Sequence, residues 1–422
     1  MQVFSKRFAA CLVVGMAVCV SLQPLEAQEA APADTIRQDT VRVRRTGGPS
    51  SVQQQVEEDA SRRELSAVQQ AEDWLDDQLG LQLGLDYNLT TQMLNESPGA
   101  TSAAGGVFRF YGHWTPFSRG SPSAGSLVFK LENRSALGSG LSPQALGPTA
   151  GYAGLTAVTF SDAGWILSNF YWTQALLDNA FAFNVGIVDV TDYLDVFGLV
   201  NAWTEYNNFA FTTGGASIPA PGQGLGAVVR FNYRTRYYLT AGMADANGDP
   251  SRWFDVFDSF FDTSEYFWHA EAGWIGSWDK RFSDNIHLSF WAADDRVEAG
   301  VDGGWGLAAS ISRSLGERWQ PFLRGGYADG GGALLARTVS AGTGYQLMDR
   351  GDLVGVGANW GRPPEEAVEG DPRDQWTFEI YYKSYQIPQL EIWPSFQFLI
   401  DPAYLPESTS LWLVSVRVRL VL

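Results

Sequence analysis

The chain has 422 residues, 14% of them aromatic and only 18% charged, with 45 glycines and a formal net charge of -18. That acidity, with no basic stripe anywhere, excludes a nucleic-acid binder, because phosphate contacts need clustered lysine and arginine. The two cysteines, Cys11 and Cys19, both fall within the first 27 residues, so the rest of the chain offers neither disulfides nor thiol chemistry.

Met1 to Ala27 reads as a secretion signal: Lys6 and Arg7 supply the positive end, Phe8 to Val20 the apolar stretch, and Leu25-Glu26-Ala27 the cleavage site. Residues 28–50 are rich in Ala, Pro, Asp, Thr and Gly and read as a flexible periplasmic linker. Residues 51–79 contain no Gly or Pro, which favours helix. Leu65, Val68, Leu75 and Leu79 form a stripe there that suits a helix against a barrel mouth or a plain spacer, with a short oligomeric coiled coil or an envelope tether as alternatives. Beyond the signal no stretch approaches eighteen consecutive apolar residues, so a membrane-spanning chain must cross with strands.

From Gly80 the period becomes two. Leu81, Leu83, Leu85, Tyr87 and Leu89 alternate with Gln82, Gly84, Asp86, Asn88 and Thr90. The alternation returns in Val107–Trp114, Ser126–Ser135, Gly226–Arg234, Asn285–Trp291, Trp305–Arg313, Gln375–Tyr385 and Gln389–Ile400. Weaker candidates are Trp165–Leu176, Phe181–Asp189, Glu205–Thr213, Tyr237–Ala244, Glu265–Trp278, Trp319–Tyr327, Arg337–Leu347 and Leu353–Trp360. The last strand is the clearest: Trp412, Val414, Val416, Val418, Leu420 and Leu422 make an apolar face, with Ser415, Arg417 and Arg419 between them. Segments of about ten residues with this pattern cross a bilayer at a tilt, and single-chain barrels have even strand counts. With the first and last strands there are about eighteen candidates, some of them loop pieces. The expectation is one antiparallel transmembrane β-barrel of sixteen strands over residues 80–422, an all-β fold preceded by a short helical segment. Ser135–Gly154, Asp245–Ser264 and Gly361–Asp374 read as long external loops, and Met348–Gly351 and Gln386-Ile387-Pro388 as tight turns. Trp114, Trp165, Trp274, Trp278, Trp376 and Trp412 suit the aromatic girdles at the two interfaces.

Catalytic motifs are scarce. The chain has three histidines, with no HExxH, CxxC, Walker loop or GxSxG, so no catalytic residue, metal ligand or cofactor is expected and the reading is not an enzyme. Asp245, Asn247 and Asp249 have calcium-loop spacing, but Pro250 and Val256 stand where such a loop needs glycine and glutamate. If the apolar face meets lipid, Asp86, Asn88, Arg109, Lys130, Glu132, Arg134, Arg230, Arg234, Glu379, Lys383, Arg417 and Arg419 face inward. An interior with both signs of charge is hydrated, which points to a water-filled channel. Arg109, Glu132, Arg134 and Arg230 lie within well-patterned strands and combine donor forks with an acceptor, so they are the candidates for a solute-contacting constriction.

Three segments resemble the carbohydrate-selective porins of the OprB family. Phe170-Tyr171-Trp172-Thr173-Gln174-Ala175-Leu176 with Phe183-Asn184-Val185-Gly186-Ile187-Val188-Asp189 is similar to the family's tryptophan-glutamine strand and the apolar stretch after it. Ala241 to Pro250 resembles a strand ending in an Asp/Gly/Pro loop. Gly355 to Pro363, Glu379 to Lys383 and Pro388 to Pro402 resemble the family's C-terminal third. The resemblance implies an outer-membrane barrel for passive diffusion with a preference for sugars such as glucose. Its partners would be outer-membrane lipid and small hydrophilic solutes, in a monomer or homo-oligomer. The residues alone leave open a general or cation-preferring pore, favoured by the net charge, and a barrel-anchored envelope tether.

Overall fold

The computed structural model describes residues 74–421, apart from 120, 122, 139, 152–155, 348–350, 368–372, 388 and 406. The secretion signal, the linker and most of the 51–79 segment lie outside the described residues, as do Met348 to Arg350 and Pro388 of the expected tight turns. Residues 74–79 are helical. Gly80, at φ 69, then turns the chain into the first strand, its N–H bonded to the Asp76 carbonyl at 2.8 Å.

Sixteen strands follow. They are β1 (Leu81–Leu94), β2 (Ser102–Trp114), β3 (Gly125–Leu137), β4 (Gly164–Leu176), β5 (Phe181–Val188), β6 (Gly224–Tyr233), β7 (Tyr237–Asp245) and β8 (Tyr266–Ile275). The second half comprises β9 (Asn285–Ala293), β10 (Gly304–Ser312), β11 (Trp319–Gly330), β12 (Arg337–Gln346), β13 (Leu353–Arg362), β14 (Gln375–Ile387), β15 (Leu390–Ile400) and β16 (Ser410–Val421). Each pairs antiparallel with its sequence neighbours, and β1 pairs with β16, which closes the barrel. Closure removes the two terminal edge strands of an open sheet, as hydrocarbon requires.

The pleat sorts the side chains as the alternation predicts. On β16, Val416 and Leu420 are exposed on the outside, whereas Arg417 and Arg419 are buried inside. Trp114, Trp165, Trp376 and Trp412 are exposed near strand ends, at girdle positions. Connections alternate in length. Tight turns such as Leu177–Ala180 and Arg234–Arg236 lie at one rim, and residues 138–163, 189–223 and 246–265 make long loops at the other.

Two expectations need correction. Glu205–Thr213 is not a strand: it belongs to the long connection between β5 and β6, which folds into the barrel. Arg234 is not a lumen residue. β6 ends at Tyr233, and Arg234 and Thr235 form the turn to β7 with φ of 51° and 56°, the left-handed pair that suits the twist of a tight hairpin. The side chain of Arg234 is exposed.

Arginine in place of Val416, mid-strand on the lipid face of β16, should cost about 2–4 kcal/mol. Arginine in place of half-buried Asn184, on the inner face of β5, should leave the unfolding midpoint near wild type and change conductance instead. Denaturant unfolding in lipid vesicles and single-channel recording separate the two. Equal destabilisation at both positions would contradict the assigned faces.

Candidate functional site

The connection between β5 and β6 carries the loop that shapes the lumen. It enters at Asp189, whose carboxylate accepts the N–H of Thr191 at 3.0 Å and starts a short 3-10 turn. Val190, Tyr193, Leu194, Val196, Phe197, Leu199 and Val200 follow, and all are buried. The first of them pack against Tyr171, Val228, Phe267 and Trp291 of the wall, and the later ones against Phe322, Tyr381 and Trp393. An apolar run of this kind in a channel mouth would be costly in water, so it draws the loop onto the wall.

A loop buried this way must also satisfy its backbone, since an unpartnered amide out of water costs several kcal/mol at the upper end. Wall side chains provide the partners. Glu379 accepts the N–H groups of Asn207 and Asn208 at 2.7 and 2.9 Å. Arg417 donates to the Trp203 carbonyl at 2.6 Å and to the Asn207 side chain. Arg324 donates to the carbonyls of Phe211 and Thr212. The loop returns the pattern with its own acids. Glu205 bonds Lys383 Nζ at 2.6 Å and the Tyr381 hydroxyl. Asp195 bonds Arg324, lies 2.7 Å from His287 Nε2 and accepts the N–H of Gly214. Gly214 and Gly215, at φ 65° and 54°, make the left-handed turn that aims that N–H at the carboxylate. Burial alone raises the pKa of Asp195, but Arg324 and His287 outweigh it and hold the carboxyl below its usual range.

The seat of the loop is dry over one arc of wall. Ser340, Asn359, Thr377, Gln397, Ser415 and Arg417 each retain 1% exposure or less. Across the lumen, on β2 to β6, His113, Val128, Arg134, Asn184 and Asn232 are only half-buried.

Three of the four residues singled out by sequence come together there. Arg109 and Glu132 are cross-strand partners on β2 and β3, and Arg134 Nε donates to Glu132 Oε2 at 2.7 Å. The guanidiniums of Arg109 and Arg134 lie 4.1 and 5.5 Å from the ring of Trp203, which the loop presents to them. Arg109 is more enclosed than a pore-lining residue needs to be. Its Nε bonds Asp86 at 2.7 Å, and Asp86 also holds Arg419 at 2.7 Å, which reaches Glu391. Arg230 belongs to a second group. It donates to Thr240 Oγ1 at 2.9 Å and stands near Tyr193, the loop tyrosine that faces Tyr171, Asp189 and Asp192. Burial and these acids push the Tyr193 hydroxyl well above the ordinary tyrosine range. Lys130 lies 3.6 Å from Asp192, and Asn169 donates to the same carboxylate at 3.0 Å.

Sequence reading missed Trp203, Tyr193, Asp189, Asp192, Asp195 and Glu205, because all sit on the in-folded loop. The available signal was an apolar run, Val190 to Val200, punctuated by acids inside a stretch too long for a tight connection.

Replacing Asp195 with Asn leaves the Arg324 guanidinium buried without its counter-charge, at a cost of about 3–5 kcal/mol. Because the folded carboxyl titrates below its unfolded value of about 3.9, its contribution is complete above that value and is lost as pH falls through the lowered folded one. Single-channel records should therefore be quiet for the wild type at neutral pH and noisy in strong acid, and noisy for Asp195→Asn already at neutral pH. Indistinguishable records at neutral pH would show that this contact does not hold the loop.

No family model and no curated protein matches the chain. Solved structures do. The high-pH structure of Pseudomonas putida OprB aligns with a TM-score of 0.66 at 13% identity, covering 83% of this chain and 96% of that one. Its low-pH structure gives 0.52 at 13% identity, covering 86% and 98%. A triple mutant of the Rhodopseudomonas blastica porin gives 0.51 at 12% identity, covering 81% and 100%. The likeness is one of fold: this chain is a porin-type barrel of sixteen strands, and its closed ladder and apolar belt make it a protein of the bacterial outer membrane.

Proposed function

We propose that the chain is an outer-membrane porin for passive diffusion of small hydrophilic solutes, with a preference for carbohydrates, and that it belongs with the OprB porins. The observation that carries this reading is the loop at residues 189–223. It folds into the barrel, where it sets the Trp203 ring 5.5 Å from the Arg134 guanidinium, Asp192 3.6 Å from Lys130, and Tyr193 near Arg230. A neutral polyhydroxyl solute can use this arrangement. Arginine forks and carboxylates bond hydroxyls on both sides, and aromatic rings meet the weakly apolar faces of a sugar ring. The likeness to OprB and the resemblance of Phe170–Leu176 and the C-terminal third to carbohydrate-selective porins support the same reading.

A cation-preferring pore is the second reading, favoured by Asp189 and Asp192 at the loop's entrance and by the net charge of -18. One experiment separates them. In planar bilayers, sugars that enter the passage should block ion current, and the double variant Glu132→Ala with Arg134→Ala should weaken that block several-fold while the barrel still shows heat-modifiable gel mobility. An unchanged sugar-to-ion ratio, with current carried chiefly by cations, would favour the second reading. Vesicles that fail to swell in any small sugar would remove the porin assignment itself.

A further inference from the structure

One strand of the barrel outruns its neighbour. β4 begins at Gly164, but β5 accompanies it only as far as the Phe170–Ile187 pair before the chain turns inward. Residues 164–169 thus have β3 on one side and no strand on the other. In a bilayer such an edge leaves amides without partners. The β7–β8 connection supplies one: the Leu167 N–H donates to the Pro250 carbonyl at 3.0 Å. The same connection presses on the returning end of the in-folded loop. A Cβ on Gly222 would stand 2.2 Å from the Gly248 carbonyl oxygen, and one on Gly248 would stand 2.3 Å from that of Gly222. Two glycines make this approach feasible.

From Pro250 the chain runs Trp253-Phe254-Asp255-Val256-Phe257-Asp258-Ser259-Phe260-Phe261-Asp262. It is wound as a helical turn over Val256–Asp258 that widens over Ser259–Thr263 and packs on β6. Helical spacing divides its faces. Val256 is buried on the inner side, while Phe254, Phe257 and Phe261 on the outer side are 78%, 62% and 63% exposed. The inner side also connects to the barrel's exterior. The Phe260 ring lies 5.0 Å from Tyr266, and Tyr266 lies 6.0 Å from Trp268, which points outward from β8 between buried Phe267 and His269. The exposed phenylalanines are therefore continuous with the lipid-facing surface.

We propose that the β7–β8 connection is a wall patch that seals the gap above β5 and seats Phe254, Phe257 and Phe261 in the outer-leaflet lipid. Lipid is a better occupant than a second copy of the chain. A stable protein interface buries roughly 800 Å² per partner, and three phenylalanines supply at most roughly 450–750 Å². Three aspartates, at 255, 258 and 262, keep the flank of the patch in water, the arrangement of a segment lying in a membrane interface.

The test uses single cysteines in a background with Cys11 and Cys19 replaced by serine, each carrying an environment-sensitive fluorophore. Phe257→Cys, Phe261→Cys and Asp258→Cys are all exposed positions, so the barrel should assemble, which heat-modifiable mobility checks. In proteoliposomes, labels at 257 and 261 should be quenched several-fold more by phospholipids with a nitroxide near the carbonyl region than by aqueous iodide, and the label at 258 should show the reverse order. Equal iodide quenching at all three positions, with none from the nitroxide lipids, would overturn the proposal. So would energy transfer between copies labelled at 257 that disappears on dilution with unlabelled protein, since a second copy would then cover the patch.

Discussion

Hydrocarbon offers no partner to a peptide group, and every other feature of this chain is arranged around that constraint. The ladder from β1 round to β16 satisfies it for most of the wall. The constraint becomes difficult only where the chain leaves the wall to shape the lumen. Turning inward after Val188 shortens β5 and exposes the upper edge of β4. Narrowing the pore and keeping the wall closed therefore compete at one place. The Leu167–Pro250 bond and the Gly222–Gly248 approach lie at that place.

Inside the barrel the same demand recurs in a different medium. The in-folded loop is almost as dry as a protein core, yet it carries Asp195 and Glu205 into that core. Placing ions out of water costs several kcal/mol each unless each meets a counter-charge and further hydrogen bonds. Asp195 meets Arg324, His287 and a backbone N–H, and Glu205 meets Lys383 and Tyr381. Hydrophobic contact alone would let the loop slide along a smooth wall. Paired charges with fixed geometry admit a single register, the best-attested use of buried polar groups. We attribute the position of the loop to this division: apolar clusters bring it in, and the ion pairs fix its register.

The wall was legible in the sequence because its physics is local. Val416 next to Arg417, or Leu89 next to Thr90, reports which face meets lipid without any knowledge of the fold. The lumen was legible only in direction. Alternation placed Arg109, Glu132 and Arg134 inside, but could not show that Arg109 is committed to Asp86 or that Trp203 lies over both guanidiniums, since these contacts join residues far apart in sequence. Glu205–Thr213 misled for an instructive reason. It is wedged between a polar wall and apolar clusters, so Glu205 and Asn207 turn to Lys383 and Glu379 while Tyr206 and Phe211 turn to Phe322. Two-sided burial of an irregular loop thus imitates the period of a strand. Arg234 misled because the alternation of β6 continues unbroken into its turn.

Net charge is a poor guide to the field inside the barrel, because the interior charges are paired. Lys383, Arg324 and Arg419 are each paired with a loop or wall acid, which cancels most of their field. On β2 to β6 the same pairing recurs, Lys130 with Asp192 and Arg134 with Glu132. Asp255, Asp258 and Asp262, by contrast, are exposed on the connection between β7 and β8, beyond the strand ends, where salt screens them.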